Sequence, residues 1–199
     1  MKIICIGRNY LDHVREMENE VPRYPVFFMK SSNALLPEGK DFNLPDFSHE
    51  IHYEGELVIR LGKRGKNISL TEAEKNIDAI TAGIDFTARD LQRQCIELGE
   101  PWEIAKSFDH SAAIGSFIPY TPQPYHFVLY KNEKMVQQSS SAQLIFSFSE
   151  LISYVSTYIT LEAGDVIFTG TPAGVGLVQS GDILKGYVND MLLLTVRVK

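Results

Sequence analysis

The stretch Ile51–Leu61, IHYEGELVIRL, constrains the fold more than any other part of the chain, because it sets two carboxylates into an otherwise apolar, strand-like run. On a strand successive side chains point to opposite faces, so Glu54 and Glu56 share a face with His52 and Val58. Tyr53, Leu57, Ile59 and Leu61 share the other. The pattern predicts one apolar face and one face bearing like charges. At roughly 7 Å apart and an effective dielectric of about 20, those charges repel by on the order of 2 kcal/mol. Solvent or a counter-charge has to relieve that repulsion.

Taken alone, a Glu-x-Glu pair on a strand is more often a solvated face than a ligand pair. Asp85 changes the reading. It sits near the end of the apolar run ITAGIDF, just before a helix start, where a carboxylate is costly to bury unless a cation or hydrogen bonds compensate it. Three carboxylates at strand positions make a hard oxygen site, suited to Mg²⁺, Mn²⁺ or Ca²⁺. No cysteine set or clear histidine pair favours zinc.

A chain of 199 residues, 44% of them hydrophobic, can bury one well-packed core, and no linker divides it, so a single domain over residues 1–199 is expected. The net charge of −6 comes from interspersed acids and bases with no basic stripe, which argues against nucleic acid as a partner. The apolar run before Gly7 and Arg8 is too short for a signal-peptide core or a membrane span, so the cytoplasm is the expected compartment. Cys5 and Cys95 read as small buried hydrophobes.

Along the chain, Ile3–Ile6 and PVFFMK have strand patterns. Between them, Leu11, Val14 and Met17 fit a short, very polar helix ended by Pro22 and Pro25, which buries little and is expected to act as a mobile flap. Thr71 with Glu74, and Thr87 with Asp90, have the spacing of helix caps. The second helix, ARDLQRQCIEL, should stop at Gly99. A further helix is expected in SELISYVSTYI, and the C-terminal quarter (GDVIFTGTP, GDILKGYVND, MLLLTVRV) is β-rich. Strands and helices do not alternate throughout, which indicates a sheet-dominated α+β fold.

Several polar residues have two readings at this level. Lys106, in EIAKSFD, is a lone lysine of a kind usually solvated. Arg89 and Gln92 stand three apart on the helix after Asp85, where the guanidinium either pairs with Asp90 or a surface acid, or binds a ligand carboxylate. TGTPAGVG lacks both the Gly-Lys-Ser/Thr ending of a P-loop and the dinucleotide fingerprint, which excludes a nucleotide site.

The motifs GRNYLDHVREM, HYEGELVI, GIDFTARDLQ, PWEIAKSFD and GDVIFTGTPAGVG, in this order, closely resemble the fumarylacetoacetate hydrolase family, specifically its short acylpyruvate hydrolases and oxaloacetate decarboxylases. The resemblance implies a mixed β-roll, a homodimer, and one divalent metal, Mg²⁺ or Mn²⁺, held by Glu54, Glu56 and Asp85. It implies that the metal chelates a small 2-oxo acid and stabilises the enolate left when a C–C bond breaks. It also maps a catalytic His-Glu dyad onto His13 and Glu16, a substrate- or water-contacting lysine onto Lys106, and pocket positions onto Arg89, Gln92 and Thr171. The chain begins almost directly at the strand before GRNY, so the N-terminal domain of the longer members is not expected, which argues against fumarylacetoacetate as substrate. Acylpyruvate hydrolysis is the leading expectation, with fumarylpyruvate or acetylpyruvate as substrate. Oxaloacetate decarboxylation and isomerisation of hydroxy-diene dioates are the alternatives within the family, and a metal-stabilised binding protein is the alternative outside it.

Overall fold

A computed structural model describes residues 1–199. In chain order the first half contains β1 (Ile3–Gly7), α1 (Leu11–Glu16), β2 (Val26–Lys30), β3 (Ile51–Tyr53), β4 (Gly55–Leu61), α2 (Leu70–Ala73), β5 (Ile77–Asp85), β6 (Thr87–Ala88) and α3 (Arg89–Leu98). The second half contains α4 (Glu103–Lys106), β7 (Ala112–Ile114), β8 (Ile118–Pro119), β9 (His126–Lys131), β10 (Lys134–Ser140), α5 (Phe148–Tyr158), β11 (Val166–Phe168), β12 (Gly176–Leu177), β13 (Ile183–Val188) and β14 (Met191–Arg197). The outcome is the sheet-dominated α+β architecture that the sequence indicates.

The strands form three sheets: one of seven strands in the order β2-β1-β11-β4-β5-β7 with β8 also on β5, one of four ordered β10-β9-β13-β14, and one of three ordered β12-β3-β6. Only β1 and β11 run parallel; the other pairs are antiparallel. A hydrophobic core of 32 residues reaches from Ile4 to Val198 and includes residues of all three sheets. No helix is long and apolar enough to cross a membrane.

Ile51–Leu61 is not one strand. It breaks at Glu54: β3 pairs with β6 and β12, whereas β4 pairs with β5 and β11 in the large sheet. Nor is one face solvated, because Glu54, Glu56 and Val58 are as buried as Tyr53, Leu57, Ile59 and Leu61. Water therefore does not relieve the two glutamates. Gly55 marks the break, and a Cβ there would stand 2.8 Å from Gln137 Oε1 and from the Phe127 ring. Only glycine lets the chain leave one sheet and enter the next this close to β9 and β10.

The helices correct three expectations. Thr71 lies inside the one-turn helix α2 instead of capping it, and its hydroxyl meets that of Ser69, while Glu74 accepts a hydrogen bond from the Tyr120 hydroxyl at 2.7 Å. Thr87 does not cap α3 either, since Ala88 holds that position; Asp90 instead accepts from Ser48 Oγ, the His49 N–H and its neighbour's N–H at Leu91, fastening the helix start to the loop before β3. The α5 helix opens one residue earlier than SELISYVSTYI suggests, at Phe148, on a reciprocal capping box between Ser147 and Glu150. Gly99 ends α3 in the left-handed conformation, φ +68°, as expected.

Candidate active site

The sheet register brings the acids together. Gly55 stands opposite Ile84 across β4 and β5, and the Asp85 N–H donates to the Glu54 carbonyl at 2.8 Å, so the last residue of β5 is tied to the β3–β4 break. Carboxylate oxygens of Glu54, Glu56 and Asp85 lie within 4.8 Å of one another. The three residues are only 5%, 2% and 1% exposed.

Counter-charges surround two of them. Lys106, at the end of α4, places Nζ 2.7 Å from Glu54 Oε2, 2.8 Å from Asp85 Oδ2 and 2.6 Å from Thr87 Oγ1. Far from being solvated, it is buried among acids. Arg89, at the start of α3, donates through Nη2 to Glu54 Oε1 and through Nη1 to Gln92 Oε1, each at 2.5 Å. Its acidic partner is the buried Glu54, neither Asp90 nor a surface acid. Lys30, which sequence reasoning missed, ends β2 with Nζ 2.7 Å from Asp85 Oδ1 and 2.9 Å from Ser111 Oγ, and it also donates to the Lys106 carbonyl. Its only signal in the sequence is a lone cation closing an apolar strand.

Glu56 has no cation within ion-pair distance; its Oε2 accepts from the Gly170 N–H at 2.7 Å. Burial, then repulsion from Asp85 and Glu54, pushes its carboxyl well above the ordinary range. Glu54 moves the opposite way: burial alone would raise it, but Lys106, Arg89 and His13 outweigh burial and hold it below the usual carboxylate range. Burial disfavours the Lys106 ammonium, yet Asp85 and Glu54 raise its pKa above that of an ordinary lysine, so it stays charged. A dication fits this cluster on its own chemistry. The donors are all hard oxygens, and Glu56 is a buried carboxylate next to two others with no cation of its own.

His13 and Glu16, the pair onto which the resemblance maps a catalytic dyad, are hydrogen-bonded to each other. His13 Nδ1 is 2.9 Å from Glu16 Oε2, and Glu16 Oε1 accepts from the Gly174 N–H at 2.9 Å. The expectation of a loosely held flap meets a different packing: His13 is 8% exposed, Val14 is buried, and Gly174 grips Glu16 from the far end of the chain. Glu16 thus links His13 to the glycine-rich turn. With Glu16 taking the Nδ1–H, Nε2 is the nitrogen left to accept a proton.

The glycine-rich turn around Thr171 makes its polar contacts within the protein. Gly170 and Gly174 spend their N–H groups on Glu56 and Glu16. Thr171 lines the cleft, but its hydroxyl donates to the Gly55 carbonyl at 2.9 Å and accepts from Gln137 Nε2 at 2.8 Å. Gln137, another residue missed from sequence, also accepts the Gly55 N–H at 2.9 Å and so braces the segment between the two glutamates. Nothing in its polar strand announces this; the contact spans 82 residues.

The acids, Lys106, Arg89, Gln92, Thr171 and His13 all line one cleft, which Met17, Phe28, Ile96 and Trp102 also line with apolar side chains. Glu16 stands behind His13, and Lys30 behind Asp85.

Comparisons with known proteins find relatives along nearly the whole chain. Residues 2–199 match the family model described as fumarylacetoacetate (FAA) hydrolase C-terminal. A mitochondrial oxaloacetate tautomerase from Bos taurus is 39% identical over 201 aligned residues, covering 99% of this chain and 91% of that protein. The crystal structure of fumarylpyruvate hydrolase from Pseudomonas aeruginosa in complex with Mn²⁺ and pyruvate superposes with a TM-score of 0.94 at 39% identity, covering 100% of this chain and 89% of that one. That of 5-carboxymethyl-2-hydroxymuconate delta-isomerase from Mycobacterium smegmatis gives a TM-score of 0.88 at 33% identity, covering 99% and 78%.

Proposed function

Because the chain belongs to the fumarylacetoacetate hydrolase family, we propose that it is a divalent-metal-dependent enzyme hydrolysing the C–C bond of small acylpyruvates such as fumarylpyruvate or acetylpyruvate. The observation that carries the reading is that a buried three-carboxylate cluster and His13, which Glu16 holds by a hydrogen bond, open into the same cleft. A solved relative with Mn²⁺ and pyruvate, the 2-oxo acid fragment such a hydrolysis releases, supports it.

Glu54, Glu56 and Asp85 would hold Mg²⁺ or Mn²⁺. Bound there, the ion supplies a Lewis acid that polarises the 2-oxo group and stabilises negative charge on its oxygen. The chain's own residues do the rest. His13 Nε2 takes a proton from water and later returns one to the carbon that leaves, while Glu16 steadies the imidazolium and Gly174 fixes Glu16. Lys106 keeps a positive charge beside Glu54 and Asp85. Both Nη groups of Arg89 are already engaged by Glu54 and Gln92, so these residues shape the cleft wall and leave only the guanidinium Nε unpartnered. Met17, Phe28, Ile96 and Trp102 give the cleft apolar lining beside the acids.

A second reading is oxaloacetate chemistry, decarboxylation or keto–enol exchange, favoured by the name of the Bos taurus relative. It needs the same ion and proton shuttle but no attacking water. Assays of the purified protein with acetylpyruvate, fumarylpyruvate, oxaloacetate and a hydroxy-diene dioate decide between them. The acylpyruvates should be consumed fastest, with turnover lost to chelator and restored by Mg²⁺ or Mn²⁺. Faster turnover of oxaloacetate selects the second reading, and no metal-dependent turnover of any of the four refutes both in favour of a binding protein.

We further propose a single catalytic domain, supported by a core that reaches from Ile4 to Val198, and a homodimer. Exposed Met191 and Leu192 at the start of β14 are apolar surface suited to a contact between copies. Light scattering at micromolar concentration should give twice the 22.4 kDa chain mass; a clean monomer would refute the dimer. The proposed compartment is the cytoplasm, in contrast to the mitochondrial one in the name of the Bos taurus relative.

A further inference from the structure

We infer that Arg8 is a specificity-determining residue, whose guanidinium receives the second carboxylate of a dicarboxylic 2-oxo acid; this rests on the 2-oxo acid reading above. The inference comes from charge matching in the cleft. Its other fixed cations, Arg89 and Lys106, are paired with Glu54 and Asp85, His13 is paired with Glu16, and Lys30 behind the wall is paired with Asp85. Arg8 lines the same cleft, is half-buried, and has neither a carboxylate within ion-pair distance nor a side-chain hydrogen bond. A planar fork of donors beside an acid-binding site, left unmatched by the protein, is suited to a ligand carboxylate.

The backbone at this position strengthens the argument. Arg8 has φ +60°, in the left-handed region that disfavours any residue with a Cβ and that glycine occupies freely. Its flanks impose the conformation. Gly7 closes β1 against Val26, and Asn9 is clamped by its side chain to the Phe146 and Thr169 carbonyls and the Phe146 N–H, with its own carbonyl taken by the Ile145 N–H. Gly170 packs so closely on Asn9 that a Cβ there would lie 2.7 Å from the Asn9 Cβ. The chain turns left-handed between two fixed points, and an arginine stands where glycine would be unstrained. Strain of this kind is retained where the side chain has a task.

The test uses two matched ligand pairs that differ only in a terminal carboxylate against a methyl: oxaloacetate with 2-oxobutyrate, and 2-oxoglutarate with 2-oxopentanoate. Affinities are measured on the Mg²⁺-saturated protein by calorimetry, or as KM where the ligand turns over. Wild type should prefer the dicarboxylate in at least one pair. Arg8→Gly, which suits the backbone and should keep the fold, should reduce that preference by about tenfold or more, the size of a charge-assisted bidentate contact, and Arg8→Lys should restore part of it. A preference unchanged in Arg8→Gly, or equal losses for both members of each pair, overturns the assignment. Wild type that turns over acetylpyruvate yet prefers neither dicarboxylate overturns it too while leaving the proposed function standing; wild type that binds and turns over no 2-oxo acid removes both.

Discussion

Glu56→Gln should abolish Mg²⁺ and Mn²⁺ binding and lower turnover by about 10³-fold, because the loss of a Lewis acid removes several kcal/mol of transition-state stabilisation and each 1.4 kcal/mol is about tenfold in rate. Glu56 is the informative position among the three acids. An amide at Glu54 or Asp85 would leave Lys106, Arg89 or Lys30 as a buried cation short of its partner, a change that costs about 3–5 kcal/mol and confuses loss of metal with loss of fold. Glu56 has no such partner, and the Gly170 N–H that it accepts can be accepted equally by a glutamine carbonyl. Removing its charge also removes the cost of burying it and its repulsion from Asp85 and Glu54, which together push its carboxyl upward. In chelator, therefore, the variant should unfold at a temperature no lower than wild type, and added Mg²⁺ should raise wild type only. Calorimetric titration showing wild-type metal affinity in Glu56→Gln would remove the residue from the metal site.

The same residues show what a sequence alone discloses. Glu56 and Asp85 were legible because a charge inside an apolar strand has few inexpensive explanations, and Gly99 because a helix end needs a left-handed residue. The break at Glu54 was not legible. The alternation of Ile51–Leu61 continues through it, and what divides the segment is the pairing of β3 with β6 and of β4 with β5, decided by chain some thirty residues away. Thr87 has the spacing of a cap, yet its hydroxyl serves Lys106, so a tertiary contact overrides the local one. The grip of Gly174 on Glu16 spans 158 residues, and this is why α1 reads as a loose polar helix in sequence but carries a fixed dyad in the fold. Local pattern disclosed which residues are chemically unusual, and long-range pairing decides which of them meet.

His13→Ala should lower acylpyruvate hydrolysis by roughly 10²–10⁴-fold, the range of general acid–base effects, with metal affinity unchanged. The helix should survive the change. Alanine is the best helix former, Val14 keeps its burial, and the Val14 N–H and Met17 N–H still find the carbonyls of Tyr10 and residue 13 at 3.0 Å. What is lost is the imidazole whose Nδ1 Glu16 holds, leaving a carboxylate tied to Gly174 that no longer reaches any base. Glu16→Gln should cost less than His13→Ala, since it weakens the stabilisation of the imidazolium without removing the proton acceptor. The two reactions proposed for the cleft should also separate here. Hydrolysis needs water deprotonated before the C–C bond breaks, whereas oxaloacetate loses CO₂ without a nucleophile and meets His13 only when the product carbon is protonated. The hydrolytic rate should therefore fall further than the decarboxylation rate, and added imidazole should restore hydrolysis in part. Hydrolysis within threefold of wild type in His13→Ala, with metal bound and the fold intact, would mean that another group deprotonates the water and that the preformed dyad has a purely structural task.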